Sequence, residues 1–135
     1  MNVALLLTGN ELMSGDTVDS NSAMIAQKFA LGGFQVAKKV TVGDDLAQLV
    51  EELKNLASGY SIVLVNGGLG PTVDDLTAEA LAMLLEQPLV ENDEALAHLQ
   101  NWCEARTIAL NAANLKQAIL PKGCLLYTSD AADES

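Results

Sequence analysis

The sequence predicts a three-layer α/β domain, with a mostly parallel sheet and helices on both faces. Three observations predict it. Continuous apolar runs such as "VALLLT" and "SIVLVN" carry the pattern of strands buried on both faces. Between them stand segments whose apolar residues recur at helical spacing. The two kinds alternate, and strand–helix alternation implies right-handed crossovers joining parallel strands.

The first strand spans Val3 to Thr8, and the polar, glycine-containing loop "GNELMSGDTVDSN" follows it. A helix from about Ser22 to Leu31 turns Ile25 and Phe29 inward and stops at Gly32 and Gly33. "FQVAKKVTV" reads as the second strand. Leu46, Leu49, Val50, Leu53 and Leu56 line one side of the next helix, which ends near Gly59. "SIVLVN" is the third buried strand. A helix from Leu76 to Gln87 presents Ala80, Leu81, Leu84 and Leu85, and Pro88 closes it. Asp93 to about Arg106 forms another, with Leu96, Leu99 and Cys103 on its apolar side. A short helix over Asn114 to Ala118 and a strand from Ile119 complete the pattern.

A chain of 135 residues suits one domain with one core. Half of it is hydrophobic and 19% is charged, a globular composition. Eighteen acidic residues against seven basic ones give a formal net charge of −11. No basic stripe tracks a phosphate backbone, which argues against nucleic acid as a partner. "VALLLT" is too short to span a bilayer, so no membrane partner is expected either. Cys103 and Cys124 form no CxxC motif, and the expectation is a reduced, cytoplasmic protein with ordinary thiols.

Ligands of open α/β sheets sit outside the carboxyl ends of the strands. Three polar loops leave those ends: "TGNELMSGDTVDSN", "VGDD" and "NGGLGPTVDD". In the third, Gly67, Gly68 and Gly70 permit positive φ and let backbone N–H groups approach an oxyanion. Thr72 adds a hydroxyl, and the following helix adds the partial positive charge of its N-terminus. No GK[ST] and no GxGxxG spacing occurs, so neither a P-loop nor an ordinary dinucleotide site is supported.

Asp75 suits either a helix cap or a functional ligand, and a cap alone would not require acidic Asp74 beside it. Asp45 reads as a cap, with Asp44 the better site residue. An anion beside these carboxylates needs a bridging divalent cation, and Glu11, Asp44, Asp74 and Asp75 are candidate ligands or general bases. Oxygen ligands suit magnesium or manganese, with a transition metal as the other option. Ser14, Asp19 and Asn21 are further candidates for ligand contact, though Asp19 and Asn21 equally suit the start of a helix. His98 stands alone without metal-ligand spacing, Trp102 and Cys103 read as core, and no GxSxG elbow marks a serine hydrolase.

In that order, "TGNELMSGDTVDSN", "VGDD" and "NGGLGPTVDDLT" resemble the N-terminal domain of CinA-like (competence/damage-inducible) proteins. "NAANLKQAILPKG" resembles that family's later N-x-x-Q-A-x-x-P-x-G segment. The wider superfamily includes the molybdopterin-binding MogA, MoaB and a domain of gephyrin. The resemblance covers residues 1 to 123 and implies a MoCF-type α/β domain there, of a kind associated with metal-dependent ADP-ribose pyrophosphatase activity, a hydrolase chemistry. By position, Gly67, Gly68, Gly70 and Thr72 match the family's ligand-binding loop, Asp44 and Asp75 its acidic positions after strands two and three, and Glu11 its acidic first loop. Together with the residue reading, this gives catalytic roles to Asp44 and Asp75, ligand contact to the loop residues with Ser14 and Asn21, and metal ligation to Glu11, Asp74 and Asp75. The partner implied is a small nucleotide or pterin, with a homo-oligomer expected by analogy. The alternatives are a molybdopterin-binding or adenylyl-transfer domain, and an inactive fragment.

Four departures qualify the resemblance. Asn10 stands where the family's G-D-E-L pattern has aspartate, and Asn66 where threonine is usual. The family's nicotinamide mononucleotide deamidase domain is not expected in this chain. After Gly123 the family continues into a further strand and a glycine-containing loop, whereas "CLLYTSDAADES" stands here, so residues 124–135 read as an atypical, spurious tail on an incomplete domain.

Overall fold

A computed structural model describes residues 2–15 and 21–126 of the chain. The expected candidate Asp19, and the tail from residue 127 onward, lie outside the described residues.

Strand β1 (Asn2–Thr8) runs through the middle of a parallel sheet of order β2-β1-β3, between β2 (Gln35–Val42) and β3 (Ile62–Asn66). Val3 to Leu7 are all buried, which is why this run carries no polar alternation. On one face Ala4 and Leu6 pack with Val42, Leu49, Val50, Leu53, Leu56 and Ala80. Leu49 to Leu56 come from helix α3 (Leu46–Gly59), and Ala80 from α4 (Thr77–Leu85). Helix α2 (Asn21–Leu31) packs against β2. Val3, Leu5 and Leu7 point to the face opposite Ala4 and Leu6. This is the α/β architecture expected from the alternation of elements.

Several local expectations need correction. The sheet is split: β4 (Leu89–Glu91) and β5 (Ile119–Pro121) form a separate antiparallel pair, and β4 was not foreseen. Three residues after Pro88 are too few to show a strand period. Strand β3 is half-buried rather than fully buried, because it ends the described parallel sheet and has β1 on one side only. The first loop contains a four-residue helix, α1 (Asn10–Met13). Trp102 is 46% exposed beneath the Arg106 guanidinium, 4.3 Å from its ring, whereas Cys103 beside it is 2% exposed and belongs to the core. On helix α5 (Asp93–Ala105) the two lie one residue apart, about 100° around the axis, so only one can face inward.

Helix α6 (Ala112–Leu115) and a 3-10 turn, Lys116–Ala118, connect α5 to β5. Asn111 caps α6 through the Asn114 amide, and Ala118 is fully buried. This segment places Lys116 against the glycine loop.

Candidate functional site

The three polar loops do converge at the carboxyl end of β1. Loops one and two are tied by a reciprocal clasp: the Asp44 amide donates to Asn10 Oδ1 at 2.8 Å, and the Asn10 amide lies 3.4 Å from Asp44 Oδ2. The Gly9 amide donates to the Val42 carbonyl beside it. Gly43 leaves room for this, since a Cβ there would stand 2.7 Å from Asn10 Oδ1. Asn10, noted only as a departure from a family pattern, is thus a structural joint. A cleft of about 300 Å³ opens next to it, lined by Met13, Val42, Gly43, Gln48 and Glu51 among others.

Loop three is held just as closely to β1. Gly67 and Gly68 have φ of 108° and 72°, where a side chain is strained. The space left by their missing Cβ atoms is filled by the protein itself. A Cβ on Gly67 would sit 2.6 Å from the Thr8 carbonyl oxygen, and one on Gly68 would overlap Thr77 Oγ1. Packing against β1 and α4 therefore accounts for both glycines without any ligand. Buried Thr77 closes the loop, its hydroxyl donating to Gly67 O at 2.7 Å and its amide to Gly68 O at 3.1 Å. Sequence reasoning passed over Thr77; the signal was a hydroxyl at the first turn of an apolar helix, right after a glycine loop.

The acidic residues take distinct positions. Asp45 is the cap expected of it, accepting the Gln48 amide at 3.0 Å. Asp75 caps no helix, since Leu76 stands at the N-cap of α4. Its Oδ2 instead accepts the Thr72 amide at 3.0 Å and the Thr72 hydroxyl at 2.7 Å, closing a turn within the loop. The carboxylate lies where a Gly70 Cβ would be 2.7 Å from Oδ2, so the missing side chain of Gly70 makes room for Asp75. Partial burial pushes the Asp75 carboxyl up, but the Thr72 hydroxyl and amide, the Gly70 amide and the Lys116 charge together hold it below its ordinary value. Lys116 Nζ donates to the Thr72 carbonyl and, at 2.6 Å, to the Asp75 carbonyl. Nothing in the sequence reading singled out Lys116, which lies 41 residues beyond Asp75.

Asp74 is exposed, with no partner among the described residues. Glu11 is exposed on α1, its carboxylate folded over Gly9. The Ser14 hydroxyl donates to the Glu11 carbonyl at the end of α1, and Asn21 begins α2. Among the described residues no three acidic, histidine or cysteine side chains gather closely enough to hold a metal ion. No helix among the described residues is long and apolar enough to cross a membrane.

Comparison with known proteins places this geometry. The family model described as "Probable molybdopterin binding domain" matches residues 4–128. A CinA-like protein of Colwellia psychrerythraea is 62% identical over 94% of this chain and 29% of its own length. One from Shewanella woodyi is 40% identical over 93% of this chain and 30% of its own. The chain thus spans about three tenths of the curated relatives it matches. Among solved structures, the CinA protein of Thermoplasma acidophilum superposes with a TM-score of 0.83 at 32% identity, over 93% of this chain and 73% of that one. The molybdopterin biosynthesis enzyme MoaB of Thermus thermophilus superposes at 0.59 with 27% identity, over 87% and 72%. With the parallel sheet, the loop convergence and these matches in agreement, the chain belongs to the molybdopterin-binding domain family, and within it to the CinA-like proteins.

Proposed function

We propose that the domain binds a small phosphate-bearing heterocycle, a nucleotide or a pterin, at the carboxyl end of β1, and that it hydrolyses the diphosphate of ADP-ribose there. One observation carries the binding reading: three loops far apart in sequence meet at the carboxyl end of β1, loops one and two clasped through Asn10 and Asp44 and loop three seated on Thr8 through Gly67, at the sheet edge where α/β domains take ligands. Relatives named for molybdopterin biosynthesis share the fold, which supports a phosphate-bearing ligand.

In the hydrolysis, water oxygen bonds to one phosphorus of the diphosphate as the bridging P–O bond breaks, yielding AMP and ribose 5-phosphate. The water must lose a proton. Asp75 is poorly suited to take it, because its carboxylate is already engaged by Thr72 and Gly70 and its pKa is depressed. Asp44, whose carboxylate has among the described residues only the long contact with the Asn10 amide, is the better base. Asp75 then serves by shaping the loop.

The test is equilibrium binding of ADP-ribose, with AMP release measured alongside, with and without magnesium or manganese. Turnover that falls at least tenfold in Asp44→Asn, with binding retained, supports the proposal. Binding of a pterin phosphate without AMP release moves the function to pterin recognition. Neither binding nor turnover with any of these ligands defeats the reading.

A further inference from the structure

We infer that Lys116 is a positioning residue, a latch from the far end of the chain that holds the Thr72–Asp75 turn in its closed form. The turn is made by three contacts that share two residues. Asp75 Oδ2 accepts the amide and hydroxyl of Thr72, and the Asp75 amide donates to the Thr72 carbonyl at 3.2 Å. Lys116 Nζ reaches the Thr72 carbonyl and the Asp75 carbonyl, one at each end of that turn. An ammonium bridging both ends resists their separation, and charge-assisted hydrogen bonds are stronger than neutral ones.

The post that carries Lys116 is itself fixed. Asn111 caps the helix before it, Ala118 after it is fully buried, and the Ala118 carbonyl accepts the Asn92 amide at 2.8 Å. Lys116 is half-buried, so water competes only partly for its protons. In a chain with 18 acidic and 7 basic residues, it is the basic side chain bonded to the glycine loop among the described residues. Both of these bonds go to main-chain oxygens, which any residues at 72 and 75 would supply. Lys116 therefore sets the path of the backbone, leaving the Thr72 and Asp75 side chains to each other. The inference rests on the proposed function only for what the turn is said to hold; the latch itself is a statement about the loop.

Residue-resolved amide exchange on the full chain reads the latch without a ligand. Lys116→Met should raise exchange at the Thr72 and Asp75 amides roughly tenfold, while the Leu5, Leu6 and Leu7 amides of β1 stay unchanged. The charge is tested by rebuilding it. Lys116→Cys in a Cys124→Ser background, alkylated with bromoethylamine, restores an ammonium of lysine length; Cys103 is buried away from the reagent. Slow exchange should return with that adduct and not with a neutral propyl adduct. In the same variants, affinity for inorganic pyrophosphate should fall and recover in parallel. Unchanged exchange in Lys116→Met overturns the latch, even if affinity drops, because Lys116 would then be a direct ligand contact. Recovery with the propyl adduct also overturns it. Should the native chain bind neither pyrophosphate nor ADP-ribose, the proposed function falls while the exchange result still decides the latch.

Discussion

Two Asp-Asp pairs stand after two parallel strands, and the fold uses them differently. In the first pair, Asp45 caps α3 and Asp44 clasps Asn10 of the neighbouring loop. In the second, Asp75 closes a turn on Thr72 and Asp74 is exposed, without a partner among the described residues. The difference arises from a single step of chain. Leu46 begins a helix directly after Asp45, whereas Leu76 separates Asp75 from α4, so Asp75 cannot reach the helix amides and turns back to Thr72 instead. Identical dipeptides before a helix thus fill three different structural roles, and a cap is only one of them.

The largest effect should come from the glycine that lets the second pair's loop lie against α4. Gly68→Ala combines a strained φ of 72° with overlap on Thr77 Oγ1, and should cost about 3 kcal/mol. In a chain of this size that lowers Tm by roughly 10 °C, measured by calorimetry. Gly15→Ala shares a positive φ of 82° but meets nothing within 4 Å among the described residues, and should cost only about 1 kcal/mol. Equal losses at both positions would show that strain alone, and not packing, makes Gly68 a glycine.

Within the pairs, the ranking is Asp75, Asp45, Asp74. Asp75→Ala removes the acceptor for two Thr72 donors and should cost about 2 kcal/mol at neutral pH. Asp45→Ala loses one cap, about 1 kcal/mol, with fraying confined to the first turn of α3. Asp74→Ala should stay within about 0.5 kcal/mol. Urea denaturation of the three variants checks the order. A loss at Asp74 equal to that at Asp75 would mean the exposed carboxylate has a partner outside the described residues.

How much of this was legible in sequence follows from the range of the interactions. The buried β1, the α3 face and the Asp45 cap are local or periodic, and "VALLLT", the leucine spacing and "GDDL" display them directly. The family was legible too, because its motifs are contiguous. Unreadable were the contacts made across the fold. Lys116 meets Thr72 from 44 residues away, and Thr8 fills the space beside Gly67 from β1. The glycine loop was expected to open its backbone to a ligand. Its Cβ-free sides instead face Thr8, Thr77 and Asp75, a choice that depends on tertiary neighbours and leaves no trace in the tetrapeptide itself.

The pH response sharpens the same contrast. The folded Asp75 carboxyl titrates below its ordinary value, so its contribution to stability is present above the unfolded-state pKa of about 4 and is lost as pH falls through the folded value. The stability gap between the native chain and Asp75→Ala should therefore be full at neutral pH and shrink on acidification below about 4. Urea midpoints across that range measure it. A gap that is constant with pH would mean Asp75 acts through shape and not through its charge.

The smallest effect belongs to the clasp that joins the first pair to loop one. Asn10→Asp keeps the acceptor that the Asp44 amide uses, yet sets a second carboxylate beside that of Asp44. Both groups face solvent, so the repulsion should cost no more than about 0.5 kcal/mol and fade in high salt. A divalent cation should reverse its sign, because two adjacent carboxylates form the start of an oxygen-donor site that the native amide does not provide. Tm measured in low salt, in high salt and in millimolar magnesium separates these terms. If Asn10→Asp costs several kcal/mol and neither salt nor magnesium relieves it, the clasp depends on the asparagine NH₂ as a donor. The difference between the two Asp-Asp pairs would then lie in the neighbour supplied by loop one rather than in where the helix begins.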